Sequence, residues 1–159
     1  MVRDRDPDQS QSQGRRGGTH PEVIILSEAR ASAYEPSDRE VCISITDPNK
    51  PLPTLSGQFL AVLRVCFSDI TEAIDHPDYA LFDAQHAAAV VRFARTWRDV
   101  DRIVVHCRAG MSRSPGVAMG LCDLFSWPLG EMEQQYPGCN RWVRRELRRT
   151  GRELLQTEQ

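Results

Sequence analysis

Cys107 and Arg113 stand six residues apart in the run Ile103-Val104-Val105-His106-Cys107-Arg108-Ala109-Gly110-Met111-Ser112-Arg113-Ser114-Pro115, and residues of these types could together hold and attack an oxyanion. A cysteine is a strong nucleophile only as the thiolate, and a free thiol, with a pKa of about 8.5, is mostly protonated at neutral pH. Nearby N–H donors, a helix N-terminus and a guanidinium all favour the anion. Arg113 brings a planar fork that matches two oxygens of a tetrahedral anion. Ser114 can hydrogen-bond the sulfur and ease its departure from a covalent intermediate.

Such chemistry needs a scaffold on either side. Ile103, Val104 and Val105 read as a buried strand running into His106 and Cys107. From Gly116 to Phe125 the pattern turns helical. Cys107 to Arg113 therefore forms a tight loop between a strand's C-terminal end and a helix N-terminus, where unpaired backbone N–H groups converge on an anion. Gly110 permits a conformation or a close approach that a side chain would resist. The alternative, a buried cysteine before a glycine turn with an arginine there by chance, does not explain the four residue types at this spacing. Together these parts suit a cysteine-dependent phosphomonoester hydrolase.

His106-Cys107-Arg108-Ala109-Gly110-Met111-Ser112-Arg113-Ser114 resembles the signature loop of the protein tyrosine phosphatase superfamily, HCxxGxxR(S/T). The Ser-Arg-Ser-Pro ending and the short chain resemble its small dual-specificity branch, with a pattern likeness over about residues 22 to 150. The resemblance implies Cys107 as nucleophile, Arg113 as phosphate clamp, and Arg108, Ala109, Gly110, Met111 and Ser112 as the rest of the substrate-binding loop. It also implies supporting roles for His106, which holds the loop, for Ser114, and for Asn140 behind the loop, although Asn140 also reads as a plain turn residue.

Cleaving a phosphate ester requires a proton for the leaving oxygen and then a base for water, which one carboxyl group can supply in turn. The resemblance places that aspartate on the loop after the preceding strand, and this is the position of Asp69, 38 residues before Cys107. Asp75 and Asp78, on the same stretch, are rivals. The implied substrate is a phosphorylated protein, phosphotyrosine first and phosphoserine or phosphothreonine second, or a small phosphomonoester. A phosphoinositide or inositol-phosphate substrate, and a phosphate-binding module without turnover, are the alternatives. Met111, where lipid-type relatives often carry lysine, weighs against the lipid. Arg108 at the pocket rim favours multiply charged substrates.

The 159 residues, 40% hydrophobic and 26% charged, fit one domain with a real core. Residues 1–20 are polar and aperiodic and are expected to be a disordered tail, with the phosphatase domain over 21–156. A net charge of −2 gives no global pull towards nucleic acid, and no apolar run is long enough to span a membrane. Five cysteines without paired spacing, and no apolar leader at Met1–Asp6, predict a reducing cytoplasm. Lys50 is the only lysine among 20 basic residues, a hint of a GC-rich, bacterial genome. His20, His76 and His86 lack ligand-like spacing, so no metal or cofactor is expected.

Strands are expected at Glu22–Leu26, Glu40–Ile45 and Leu60–Phe67, with helices after Ser27 and after the cap Asp83. A short helix over Leu129–Gln135 and a last one from about Arg141 follow. Strands alternating with helices predict an α/β fold, a mainly parallel sheet of four to five strands flanked by helices, with the site at strand C-terminal ends. Cys42 and Cys66, on strands expected to neighbour the catalytic one, read as core residues or as disulfide partners for an oxidised Cys107. Arg141, Arg144, Arg145, Arg148, Arg149 and Arg152 make the last helix basic: a patch for acidic partners, phosphoinositides or RNA, or a solvated face paired with Glu146 and Glu153.

Overall fold

A computed structural model of the chain describes residues 18–158, so nearly all of the tail expected over 1–20 lies outside the described residues. Four strands, β1 (Glu22–Ser27), β2 (Glu40–Thr46), β3 (Ala61–Cys66) and β4 (Arg102–Cys107), form one sheet in the order β1-β4-β2-β3. Every pairing is parallel; helices lie in the crossovers except between β2 and β3, which residues 47–60 join without one. β2 is buried along its whole length and β4 from Ile103 onward, whereas the edge strand β3 alternates. Continuous apolar runs fall on the covered centre of the sheet for this reason.

The helices are α1 (Glu28–Ala33), α2 (Ala84–Thr96), α3 (Arg113–Phe125), α4 (Met132–Gln135) and α5 (Arg141–Thr157). Val41, Ile43, Ile45, Ile103 and Val105 face a core built with Val90 and Val91 of α2, Leu121 of α3 and Leu147 of α5. Alternation sends Cys42, Ser44, Val104 and His106 to the other face, where they are also buried. Segment 50–59 is tied to α1 on that side: Ser56 N–H donates to Ser32 O at 3.1 Å, and Phe59 stacks on Tyr34. Asp83 starts α2 as expected, accepting from the N–H of Gln85 and His86. The expected Leu129–Gln135 helix shrinks to Met132–Gln135, because Gly130 adopts φ +59° and cannot sit in a helical turn. Among the described residues no helix is long and apolar enough to cross a membrane.

Arg102 pins the N-terminal ends of three strands. It opposes Glu22 on β1 and Glu40 on β2 in the register, and its guanidinium donates to their carboxylates at 2.8 and 3.3 Å. Glu40 is 2% exposed and also accepts from Tyr34 Oη at 2.6 Å. Removing Arg102 strands a buried carboxylate, so Arg102→Ala is expected to cost about 3 kcal/mol of unfolding free energy, read by urea denaturation.

Candidate active site

The C-terminal ends of β4, β2 and β3 lie side by side, and the loop leaving β4 curls around its own cysteine. Cys107 Sγ accepts from Gly110 N–H at 3.3 Å and Ser114 N–H at 3.4 Å, and lies 3.1 Å from Ser114 Oγ. Two backbone N–H groups and the Ser114 hydroxyl thus converge on one sulfur. Gly110 permits this curl. Its φ is +72°, and a Cβ there would lie 2.8 Å from Ser27 N and 2.9 Å from Leu26 C. The loop is tied to α1 through Glu28 N–H donating to Arg108 O at 3.1 Å.

α3 begins without a side-chain cap and without an acidic residue in its first turn. Its N-terminal partial positive charge is thus left to an incoming anion. Arg113 is 6% exposed, and its Nη1 donates to Asp47 Oδ1 at 2.8 Å and to Phe67 O at 2.9 Å. Both anchors engage the same nitrogen. Nε and Nη2, the two parallel donors that grip paired oxygens, have no protein acceptor among the described residues. Asp47 was not foreseen. It lies 66 residues from Arg113 in a stretch that reads only as a proline-rich loop, and only the pairing of β2 with β4 brings it here.

Asp69 is exposed and meets the rim. Its Oδ1 accepts from Ser112 Oγ at 2.8 Å and from Asn140 Nδ2 at 2.9 Å, leaving Oδ2 without a protein donor among the described residues. Asn140 also caps α5 by accepting from Val143 N–H, and its own N–H donates to Ser112 O at 2.9 Å. One asparagine thereby joins the loop, Asp69 and the last helix. Gly116 makes room for this junction, since a Cβ there would meet Asn140 O at 2.7 Å. Asp78 lines a groove of about 400 Å³ with Asp69 and Tyr79 but accepts from Asn49 Nδ2, and neither Asp75 nor Asp78 bonds to the loop. Asp69→Asn is expected to lower kcat/KM for an ester with a poor leaving group roughly 100-fold or more. For an activated aryl ester, whose leaving oxygen needs no proton, kcat/KM is expected to fall far less; steady-state kinetics on both esters check this.

His106 is fully buried. Its Nδ1 lies 3.3 Å from Cys107 O, which can only accept, so Nδ1 carries the proton and Nε2 accepts from Ser44 Oγ at 2.6 Å. Arg64 Nη1 completes the chain by donating to Ser44 Oγ at 3.2 Å and to Pro53 O at 3.0 Å. Burial, with Arg64 and Arg113 acting in the same direction, holds the His106 pKa below its ordinary 6.5; the Cys107 carbonyl and Glu28 oppose it. As pH falls below 6.5 the unfolded chain takes up a proton here that the folded chain refuses, so stability declines towards the lower folded pKa. Tm is expected to drop between pH 7 and 5, and less steeply in His106→Asn, by scanning calorimetry.

Of the two readings for Cys42 and Cys66, the geometry does not support the disulfide with Cys107, and the core reading holds for Cys42 but not for Cys66. Cys42 sits opposite Val104, about 10 Å of strand back from Cys107, and burial pushes its thiol up to about 12. Cys66 is exposed on β3, which pairs with β2 and not with β4. Among the described residues no three His, Cys, Asp or Glu side chains form a group able to hold a metal.

No family model matches the sequence, and no curated protein matches it. Solved structures do match the fold. The crystal structure of Tk-PTP in the active form is 16% identical with a TM-score of 0.51, covering 83% of this chain and 95% of that one. The crystal structure of PTPMT1 in complex with PI(5)P is 14% identical with a TM-score of 0.50, covering 87% and 95%. The chain has the α/β fold of these phosphatases, with a four-stranded parallel sheet flanked by helices.

Proposed function

We propose that this chain is a cysteine-dependent phosphomonoester hydrolase of the small dual-specificity type within the protein tyrosine phosphatase superfamily. The observation that carries the reading is the anion cradle itself: Cys107 Sγ ringed by the Gly110 and Ser114 N–H groups, beside an Arg113 whose Nε and Nη2 have no protein acceptor among the described residues. In this reading Cys107 Sγ attacks phosphorus while Arg113 and the loop N–H groups hold the equatorial oxygens. The P–O bond to the leaving group breaks, and Asp69 Oδ2 delivers its proton to that oxygen. Asp69 then takes a proton from water, whose oxygen attacks the phosphocysteine. Ser114 Oγ stabilises the departing thiolate, and phosphate leaves.

Protein phosphotyrosine is the proposed substrate, with phosphoserine and phosphothreonine as further possibilities. Exposed Met111, adjacent to Ser112, and Tyr79, in the groove of Asp69, offer apolar surface to an aromatic ring. A second reading, an inositol-phosphate or phosphoinositide substrate, is favoured by a cavity of about 250 Å³ next to the cradle. It mixes the donors Lys50 and Arg108 with the carboxylates of Glu28 and Asp47. Thr46, 6% exposed, is a further wall of this cavity. A phosphorylated polyol carries acceptors and donors to match, and the PTPMT1 structure above holds such a lipid.

The test is hydrolysis of an aryl phosphate with chelator and reductant present, followed by phosphotyrosyl peptide, phosphoseryl peptide and soluble inositol phosphates. Highest kcat/KM on the phosphotyrosyl peptide is expected. Preference for the inositol phosphates selects the second reading, and phosphate binding without turnover on any of them overturns both.

A further inference from the structure

A strongly basic surface lies along α5. Arg141, Arg145, Arg148 and Arg152 recur at helical spacing, so they form one stripe about 17 Å long. Two grooves, of about 510 and 460 Å³, meet along Arg145 and Arg148. The first has Met119, Tyr136, Pro137 and Cys139 in its walls.

The arginines of α5 divide into two sets. Arg144 is held by Asp123 at 2.7 Å and Glu133 at 2.9 Å, Arg149 by Glu146 at 2.6 Å, and Arg148 approaches Asp123 at 3.6 Å. Arg141, Arg145 and Arg152 are exposed and have no carboxylate partner among the described residues. These three take no part in ion pairs among the described residues, yet they concentrate positive charge on a chain whose net charge is −2. From this juxtaposition of unpaired arginines and paired grooves, we propose that α5 is a docking surface for an acidic, Asp/Glu-rich segment of another protein.

Charge and shape choose this occupant over others. The chain's own residues 1–17 carry three aspartates against four arginines and do not complement the surface. An anionic bilayer calls for apolar side chains that insert, but the exposed large apolar residues Leu52, Leu60, Val62, Ile74, Tyr79 and Met111 all lie off α5. A nucleic-acid backbone presents unbroken negative charge, and Glu133 and Glu153 interrupt the grooves. An acidic peptide bends its carboxylates into the grooves and offers its own backbone N–H groups to those glutamates, giving the charge complementarity that steers and orients association.

The experiment is fluorescence anisotropy of a labelled Asp/Glu-rich peptide with the full chain at low and physiological salt. Binding that weakens with salt, and that Arg141→Gln/Arg145→Gln/Arg152→Gln weakens at least tenfold, is expected. Aryl phosphate turnover is expected to be unchanged in that variant. Arg30→Gln/Arg98→Gln, which removes exposed charge elsewhere, is expected to bind as wild type does. No binding, equal loss in both variants, or tighter binding of phosphatidylserine vesicles or single-stranded RNA overturns the proposal. Because the readout is binding, its failure leaves the catalytic reading untouched.

Discussion

Cys107→Ser is expected to abolish phosphomonoester turnover, by roughly ten-thousand-fold or more, while leaving the fold intact. A serine hydroxyl in the same place meets the Gly110 and Ser114 N–H groups, but it stays protonated at neutral pH and no base stands beside it. His106, the nearest imidazole, has its proton on Nδ1 facing Cys107 O, and its Nε2 is taken by Ser44. In the proposed reading Asp69 serves the leaving oxygen and then water, and among the described residues no basic group bonds to the side chain at 107, so the loss approaches that of deleting the nucleophile from other covalent hydrolases. Cys107 is 2% exposed, and replacing its sulfur with a smaller atom requires no rearrangement. Circular dichroism and inhibition by inorganic phosphate in a binding assay are expected to match wild type.

Arg113→Lys is expected to lower kcat/KM roughly 1000-fold despite keeping the charge. The guanidinium serves two masters at once: Nη1 is fixed by Asp47 and Phe67 O, which leaves Nε and Nη2 aligned for two oxygens. An ammonium is a point charge on a flexible stem. It can satisfy Asp47 or the anion but cannot present a fork to both. Losing preorganised donors at a developing phosphoryl transition state removes stabilisation that cannot be recovered by binding the ground state. Asp47→Asn offers a graded comparison: it keeps an acceptor for Nη1 but loses the charge, and a smaller drop than Arg113→Lys is expected from the same steady-state assay.

How much of this could be read from the residues depends on how far apart in the chain they are. The cradle was legible because Cys107 to Ser114 are contiguous, and a strand-loop-helix junction with glycine at its bend dictates its own geometry. The parallel sheet was legible from the apolar runs of β2 and β4, which only a doubly covered strand can bury. Asp69 was reachable because it follows a strand end directly, and the C-terminal ends of parallel strands converge. Asp47 and Ser44 were not. Their contacts with Arg113 and His106 span 66 and 62 residues and exist only through the β2–β4 register, which no local pattern encodes. The same limit misplaced Cys66: its apolar strand was recognised, but β3 takes the edge beyond β2, and strand order is set by tertiary packing rather than by the strand's own residues.

The most direct test of the central claim is to trap the covalent intermediate. Asp69→Asn is mixed with an activated aryl phosphate, quenched in acid within the first turnovers, and digested for peptide mass spectrometry. Without the base that activates water, the second step is slow relative to the first, so one phosphoryl group is expected on Cys107 and on no other residue. Phosphoryl transfer to a serine, histidine or aspartate, or release of product with Cys107 never modified, would contradict the account.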